Sequence, residues 1–267
     1  MSTMMNVITN FNWKEAPLNS FNIVLVCSVT YVSLVLIYAN VPLAKKLFYL
    51  GNTKPLVAWH NVILCLGSLI MCVGSIYEVV KRSQQEQSIE WIFCERPDTE
   101  ATGMLWFWSY AFYLSKFYEL LDTFLQFLSG KTPPNFFLHV YHHSLVILMS
   151  WAWINSQAAP QFCGIIMNTA VHVVMYYYFY LKSQGITPKW KNYVTSFQII
   201  QFVISIIVVG ITIGYSLNRL ANTPEYPQCK GMEVIYGSLI FNASLLNGFV
   251  GVLRNNSGSS NKIKKSK

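Results

Sequence analysis

Long apolar stretches separated by short polar ones set the pattern of this chain. Seven occur, at residues 21–41, 58–80, 104–128, 136–156, 160–181, 194–216 and 232–253. Each is long enough, at about 20 residues, to cross roughly 30 Å of hydrocarbon as a helix. The pattern therefore predicts an all-α, polytopic membrane protein with seven transmembrane helices. Residues 1–20 read as an N-terminal segment and 21–253 as one membrane domain. The Ser/Asn/Lys-rich stretch 254–267 reads as a basic tail, expected to be disordered. The first 20 residues lack a basic region followed by an apolar core, so no cleavable signal peptide is expected.

Composition agrees: 53% of residues are hydrophobic and 11% charged, against about 25% charged in soluble domains. The charges are also sorted. Loops 42–57, 129–135 and 182–193 and the tail carry twelve Lys or Arg and no Asp or Glu. The opposite side (1–20, 81–103, 157–159 and 217–231) carries six basic and seven acidic residues. The positive-inside rule then puts the C-terminus in the cytosol and the N-terminus in a lumen or outside. A basic face without acids suits a polyanionic ligand, and equally the anionic headgroups of membrane lipid; no feature points to nucleic acid. Lys264-Lys265-Ser266-Lys267 has the di-lysine pattern of retrieval to the endoplasmic reticulum, which works only on a cytosolic tail. Cys94 and Cys229 fall in loops on the non-cytosolic side. That side is oxidising in any secretory-pathway membrane and permits a disulfide between them.

Four of the five histidines sit in two of the apolar stretches, the fourth and the fifth. His139, His142 and His143 are spaced i, i+3, i+4 and share one helix face. Ionisable groups in hydrocarbon are costly and mark functional sites. Three further polar stripes accompany them. Lys116, Glu119 and Asp122 lie late in the third stretch with Thr123 beside them. Asn168 and His172 are one turn apart in the fifth, with Tyr176 one turn on as a hydroxyl donor. Thr195, Gln198 and Gln201 repeat early in the sixth. A buried ion network that fixes helix register and interhelical hydrogen bonding are the structural alternatives. With consecutive spans antiparallel, however, all four stripes fall in the cytosolic half, and packing devices have no reason to share a depth. They read as one active site.

Histidine-rich boxes also serve membrane di-iron oxygenases, but such sites use about eight or more histidines and His60 stands far from the other four. A zinc ion needs three or four ligands. A neutral imidazole held by a carboxylate or amide can instead be a nucleophile, splitting an acyl transfer into two steps. A seven-helix lipid receptor or transporter with a polar core is the non-enzymatic alternative.

Lys116-xx-Glu119-xx-Asp122-Thr123, His139-xx-His142-His143, Asn168-xxx-His172-xx-Met175-Tyr176 and Thr195-xx-Gln198-xx-Gln201 resemble, in order, the motifs of the ELO-type fatty acid elongases, over roughly residues 20–255. The resemblance implies seven helices, six of them forming a barrel around an acyl tunnel closed on the lumenal side, and the Cys94–Cys229 disulfide. It implies an endoplasmic reticulum enzyme, a 3-ketoacyl-CoA synthase, condensing a long-chain acyl-CoA with malonyl-CoA and releasing CO2 and CoA, with no metal and no cofactor. His142 would take the acyl group in a ping-pong scheme. His172 and Asn168 would stabilise the enolate or thioester oxygen, and His139, His143, Glu119 and Asp122 would set tautomer and orientation. Lys116, Thr123, Tyr176, Thr195, Gln198 and Gln201 would line the substrate site, and Lys182, Lys189 and Lys191 a cationic rim for CoA phosphates. The implied partners are a ketoacyl-CoA reductase, a dehydratase, an enoyl-CoA reductase and a second copy in a homodimer.

Overall fold

The computed structural model describes residues 9–222 and 229–265, residues 256–265 by backbone alone. Residues 1–8 of the N-terminal segment and 266–267 of the di-lysine signal lie outside them. Among the described residues the elements are α1 (Phe21–Asn40), α2 (Pro42–Phe48), α3 (Lys54–Glu86), α4 (Met104–Glu119), α5 (Leu121–Leu128), α6 (Phe136–Asn155), α7 (Gln161–Ser183), α8 (Lys191–Asn222) and α9 (Met232–Lys265), with single 3-10 turns at Trp13–Glu15 and Glu90–Ile92. No strand occurs among them.

Five helices are long and apolar enough to cross a membrane: α1, α3, α7, α8 and the Met232–Asn255 part of α9. The expected spans 104–128 and 136–156 differ from the rest. The first is broken at Leu120 into helices of 16 and 8 residues. There the ladder tightens to i→i−3 bonds, Leu120 N–H to Phe117 O at 3.2 Å and Thr123 N–H to Leu120 O at 3.1 Å. The Ser115 hydroxyl donates back to Phe112 O at 2.7 Å, a bond that bends helices. The second is one helix of 20 residues, whose three histidines dilute its apolar character. Both α3 and α8 run past the expected edges by several residues, because their polar ends remain helical.

The α9 backbone continues to Lys265, into the stretch 254–267; a helix already nucleated adds one hydrogen bond for each residue it fixes.

Packing contacts run from α4 to α3, α3 to α7, α7 to α8, α8 to α9, α9 to α6 and back from α6 to α4, with α1 against α6. The end of the molecule near Cys94 is tied down heavily. Cys94 and Cys229 form a disulfide. Trp13 N–H donates to Ala101 O at 3.0 Å and Gly103 N–H to Phe11 O at 2.8 Å, while Trp151 Nε1 donates to Asn19 O at 2.7 Å. Arg82 grips the buried Glu95 through two bonds of 2.7 and 2.8 Å and lies 4.1 Å over the Trp91 ring. At the surface the Lys14 ammonium, 2.9 Å from Glu100, holds that carboxyl below the usual carboxylate range. At the opposite end Pro133-Pro134 ends the α5–α6 loop. Asn135 then adopts a left-handed conformation (φ 52°), which Asn tolerates better than most residues, and this turns the chain into α6.

Candidate active site

The four polar stripes meet. Lys116, near the end of α4 and 1% exposed, points Nζ at Glu119 Oε1 (2.7 Å) and Asn168 Oδ1 of α7 (3.1 Å), and lies 3.9 Å from the Phe112 ring centroid. Two charges buried this deeply persist only when paired and hydrogen-bonded. Glu119 Oε1 also accepts from the Ser115 hydroxyl at 3.2 Å and stands 3.5 Å from His172 Nδ1. Its other oxygen, Oε2, is buried with no hydrogen-bond partner among the described residues. Lysine, carboxylate, amide and imidazole thus form one unit across α4 and α7.

A second unit is built on α5. Asp122 accepts from the Tyr176 hydroxyl of α7 through Oδ2 at 2.7 Å, and its Oδ1 lies 2.9 Å from His60 Nε2 at the start of α3. The Tyr176 ring meets the His172 ring edge-on, centroids 5.3 Å apart, so the two units touch. Thr123 Oγ1 bridges the Tyr31 hydroxyl of α1 (2.9 Å) and His139 Nε2 (2.8 Å). The break between α4 and α5 points the buried Glu119 and the half-buried Asp122 each at its own partners.

The three α6 histidines pack closely, the tilted His139 and His143 rings with centroids 4.4 Å apart and the edge-to-face His142 and His143 rings 5.3 Å apart. His142 also lies parallel to the Phe241 ring of α9, at 6.5 Å. Its Nδ1, like that of His143, is buried without a partner among the described residues. His139 is therefore anchored by a hydroxyl, whereas His142 keeps a ring nitrogen uncommitted. No group of three His, Cys, Asp or Glu side chains among the described residues has the geometry to hold a metal ion.

From this cluster a slot runs between α6, α7, α8 and α9. His142, Asn168 and Gln201 line one end, and Trp153, Ala158 and Gln161 the other. The latter end abuts the apolar cluster of Cys94, Ala158, Val209, Cys229, Met232 and Ile235.

The sixth-stretch residues are placed unevenly. Gln201 enters the slot, Gln198 Nε2 lies 3.4 Å from Met175 Sδ, and the Thr195 hydroxyl turns back to Lys191 O at 3.5 Å. Lys182, Lys189 and Lys191 are exposed around the α7–α8 loop, and Lys182 Nζ lies 6.0 Å from the Tyr178 ring centroid. His60, far from the other histidines in the sequence, joins the site through Asp122. His60 is 62 residues from Asp122 in sequence and bonded to it in space. Only tertiary packing brings them together, so no local spacing could have signalled it. Tyr31 was missed for the same reason.

Comparison with known proteins adds independent evidence. The family described as ELO: GNS1/SUR4 matches residues 16–263. A Dictyostelium discoideum protein provisionally named a fatty acid elongase is 38% identical over 242 residues, 87% of this chain and 77% of the relative. Fatty acid elongase A of the same organism is 35% identical over 202 residues (75% and 71%). Fatty acid elongase sre1, also of that organism, is 34% identical over 206 residues (75% and 74%).

Proposed function

The chain belongs to the ELO family of fatty acid elongases, and from that membership we propose that it condenses a long-chain acyl-CoA with malonyl-CoA to give 3-ketoacyl-CoA, CO2 and CoA. The contact order α4–α3–α7–α8–α9–α6 is read as a six-helix barrel with α1 outside it, making seven crossings in all. The slot is read as the tunnel for the acyl chain. The carrying observation is the His142 ring at the slot's mouth, its Nδ1 buried and unpartnered among the described residues, beside a His139 anchored by Thr123 and a His172 facing Glu119.

In the first half-reaction an imidazole nitrogen of His142 attacks the thioester carbonyl. The carbon–sulfur bond breaks, the CoA thiolate leaves, and the ring proton is lost. Asn168 lines the slot mouth with His142, and it and His172, one turn on in α7, are assigned as the donors for the developing oxyanion. Asn168 is held in turn by Lys116, and His172 by Glu119. Malonyl-CoA then loses CO2, and the resulting enolate carbon attacks the acyl-imidazole. A carbon–carbon bond forms, the carbon–nitrogen bond breaks, and His142 is free again. His139, His143 and Asp122 keep rings and hydroxyls in register, and Thr123, Tyr176, Thr195, Gln198 and Gln201 complete the polar wall. Lys182, Lys189 and Lys191 offer cations to the CoA phosphates, on a face taken as cytosolic in an endoplasmic reticulum membrane. The product, a 3-ketoacyl-CoA, would pass to a reductase, a dehydratase and an enoyl reductase.

The test is direct. Purified protein given acyl-CoA without malonyl-CoA should gain one acyl group by intact-mass analysis, and subsequent malonyl-CoA should remove it as 3-ketoacyl-CoA. His142→Ala should show neither event. Full condensation by His142→Ala, or an acyl group mapped to another residue, overturns the assignment.

A further inference from the structure

The slot's inner end carries a polar group that a hydrocarbon chain does not require. Gln161, the first residue of α7, is 3% exposed. Its Nε2 donates to Trp153 O at 3.0 Å and to Ala158 O at 3.1 Å. Both amide hydrogens are thereby used, which fixes which end of the amide is oxygen. That oxygen, Oε1, is buried and has no partner among the described residues.

The Trp153 and Ser238 donors beside it are already committed. Trp153 Nε1 donates to Ser238 Oγ at 2.7 Å, and the Ser238 hydroxyl donates to Val234 O at 2.8 Å. Asn242 Nδ2 donates to Ser238 O at 2.8 Å. An unpaired buried acceptor costs on the order of the whole desolvation of that group. A ligand that brings a donor to this point recovers that cost, whereas a terminal methyl leaves it unrelieved.

We infer that the inner end of the slot is a hydrogen-bonding subsite for an ω-hydroxyl, so that the substrate class extends to ω-hydroxyacyl-CoA esters. The depth gives the length. His142 and Trp153 are eleven residues apart on α6, about 16 Å at 1.5 Å per residue, which is the reach of an extended chain of about a dozen carbons. Acylated at His142, such a chain carries its ω-oxygen to the level of Gln161 Oε1. The inference rests on the condensation reading for where the chain's other end is held.

Wild-type protein separates the outcomes without any substitution. With malonyl-CoA, it is offered dodecanoyl-CoA, its ω-hydroxy derivative and its ω-methoxy derivative. The methoxy group brings comparable polarity but no donor. The expected result is a kcat/KM about five- to tenfold higher for the hydroxy ester than for either other, the fold that one satisfied hydrogen bond supplies. Gln161→Met should abolish the preference, bringing the ratio of the hydroxy ester to the methoxy ester to about one. Equal rates for all three esters, or a preference that survives in a folded Gln161→Met protein, overturn the subsite.

If none of the esters is extended, the condensation reading fails, and binding decides the subsite alone. Thermal stabilisation of the wild-type protein by the hydroxy ester should then exceed that by the methoxy ester. Equal stabilisation overturns it.

Discussion

Replacing Lys116 by methionine removes the cation from the most deeply buried ion pair of the site. Lys116 and Glu119 side chains are 1% and 2% exposed and 2.7 Å apart. Methionine fills much of the lysine stem's volume, so the loss is chiefly electrostatic. Breaking a buried pair by removing one partner costs about 3–5 kcal/mol, because the remaining charge is left uncompensated. Here Glu119 keeps the Ser115 hydroxyl at 3.2 Å and His172 Nδ1 at 3.5 Å. The expected cost is therefore at the lower end, about 3 kcal/mol. In a chain of this size that corresponds to a melting temperature lower by about 6–12 °C. The assay is thermal unfolding of the purified protein in detergent, with Lys116→Met/Glu119→Gln alongside. Removing both charges leaves no orphaned carboxylate, so the double variant should recover about half of the loss. A double variant no more stable than Lys116→Met would refute the reasoning, as would a single variant melting within about 1 °C of the parent.

Three further outcomes are expected. Thr123→Val strips the bridge between Tyr31 and His139, leaving two polar groups short of a partner; stability should fall by about 1–3 kcal/mol, condensation should fall with it, and Thr123→Ser should restore both. Reduction, or Cys94→Ser with Cys229→Ser, releases a link spanning 135 residues and should cost about 2–5 kcal/mol; reductant should lower the parent's melting temperature and leave the double variant's unchanged. Because Lys14 lowers the Glu100 carboxyl in the folded protein, that pair's contribution is present above the carboxyl's unfolded value and lost as pH falls through its folded one; Lys14→Met should remove that small acid-side decline in melting temperature while leaving other acid-sensitive contributions in place.

The legible and illegible parts of the molecule divide along physical lines. Helices α1, α3, α7, α8 and α9 were readable because an unbroken apolar run of that length has few other fates. The site stripes were readable because i, i+3, i+4 spacing makes a face, and a polar face in hydrocarbon requires partners. The break at Leu120 was not, since Tyr118-Glu119-Leu120-Leu121 contains neither glycine nor proline. It coincides with two carboxylates that have separate partners, Glu119 with Lys116, Ser115 and His172, and Asp122 with Tyr176 and His60, and that arrangement is a property of the assembled bundle. His60 and Tyr31 were hidden for the same reason, each a single side chain that only tertiary packing brings to the site. The direction of the Gln161 amide is further out of reach, because it depends on which carbonyls happen to lie beside its nitrogen.

The disulfide has a consequence for biosynthesis. Its two sulfurs belong to loops made far apart in time, one ahead of α4 and the other only after α8 has been translated. No correct pairing can exist until everything from α4 through α8 has been synthesised and brought to the same end of the bundle. The bond therefore cannot guide the early steps of insertion. It instead records their completion, and in a pulse-labelled chain the loss of free Cys94 would date the moment when the bundle closes.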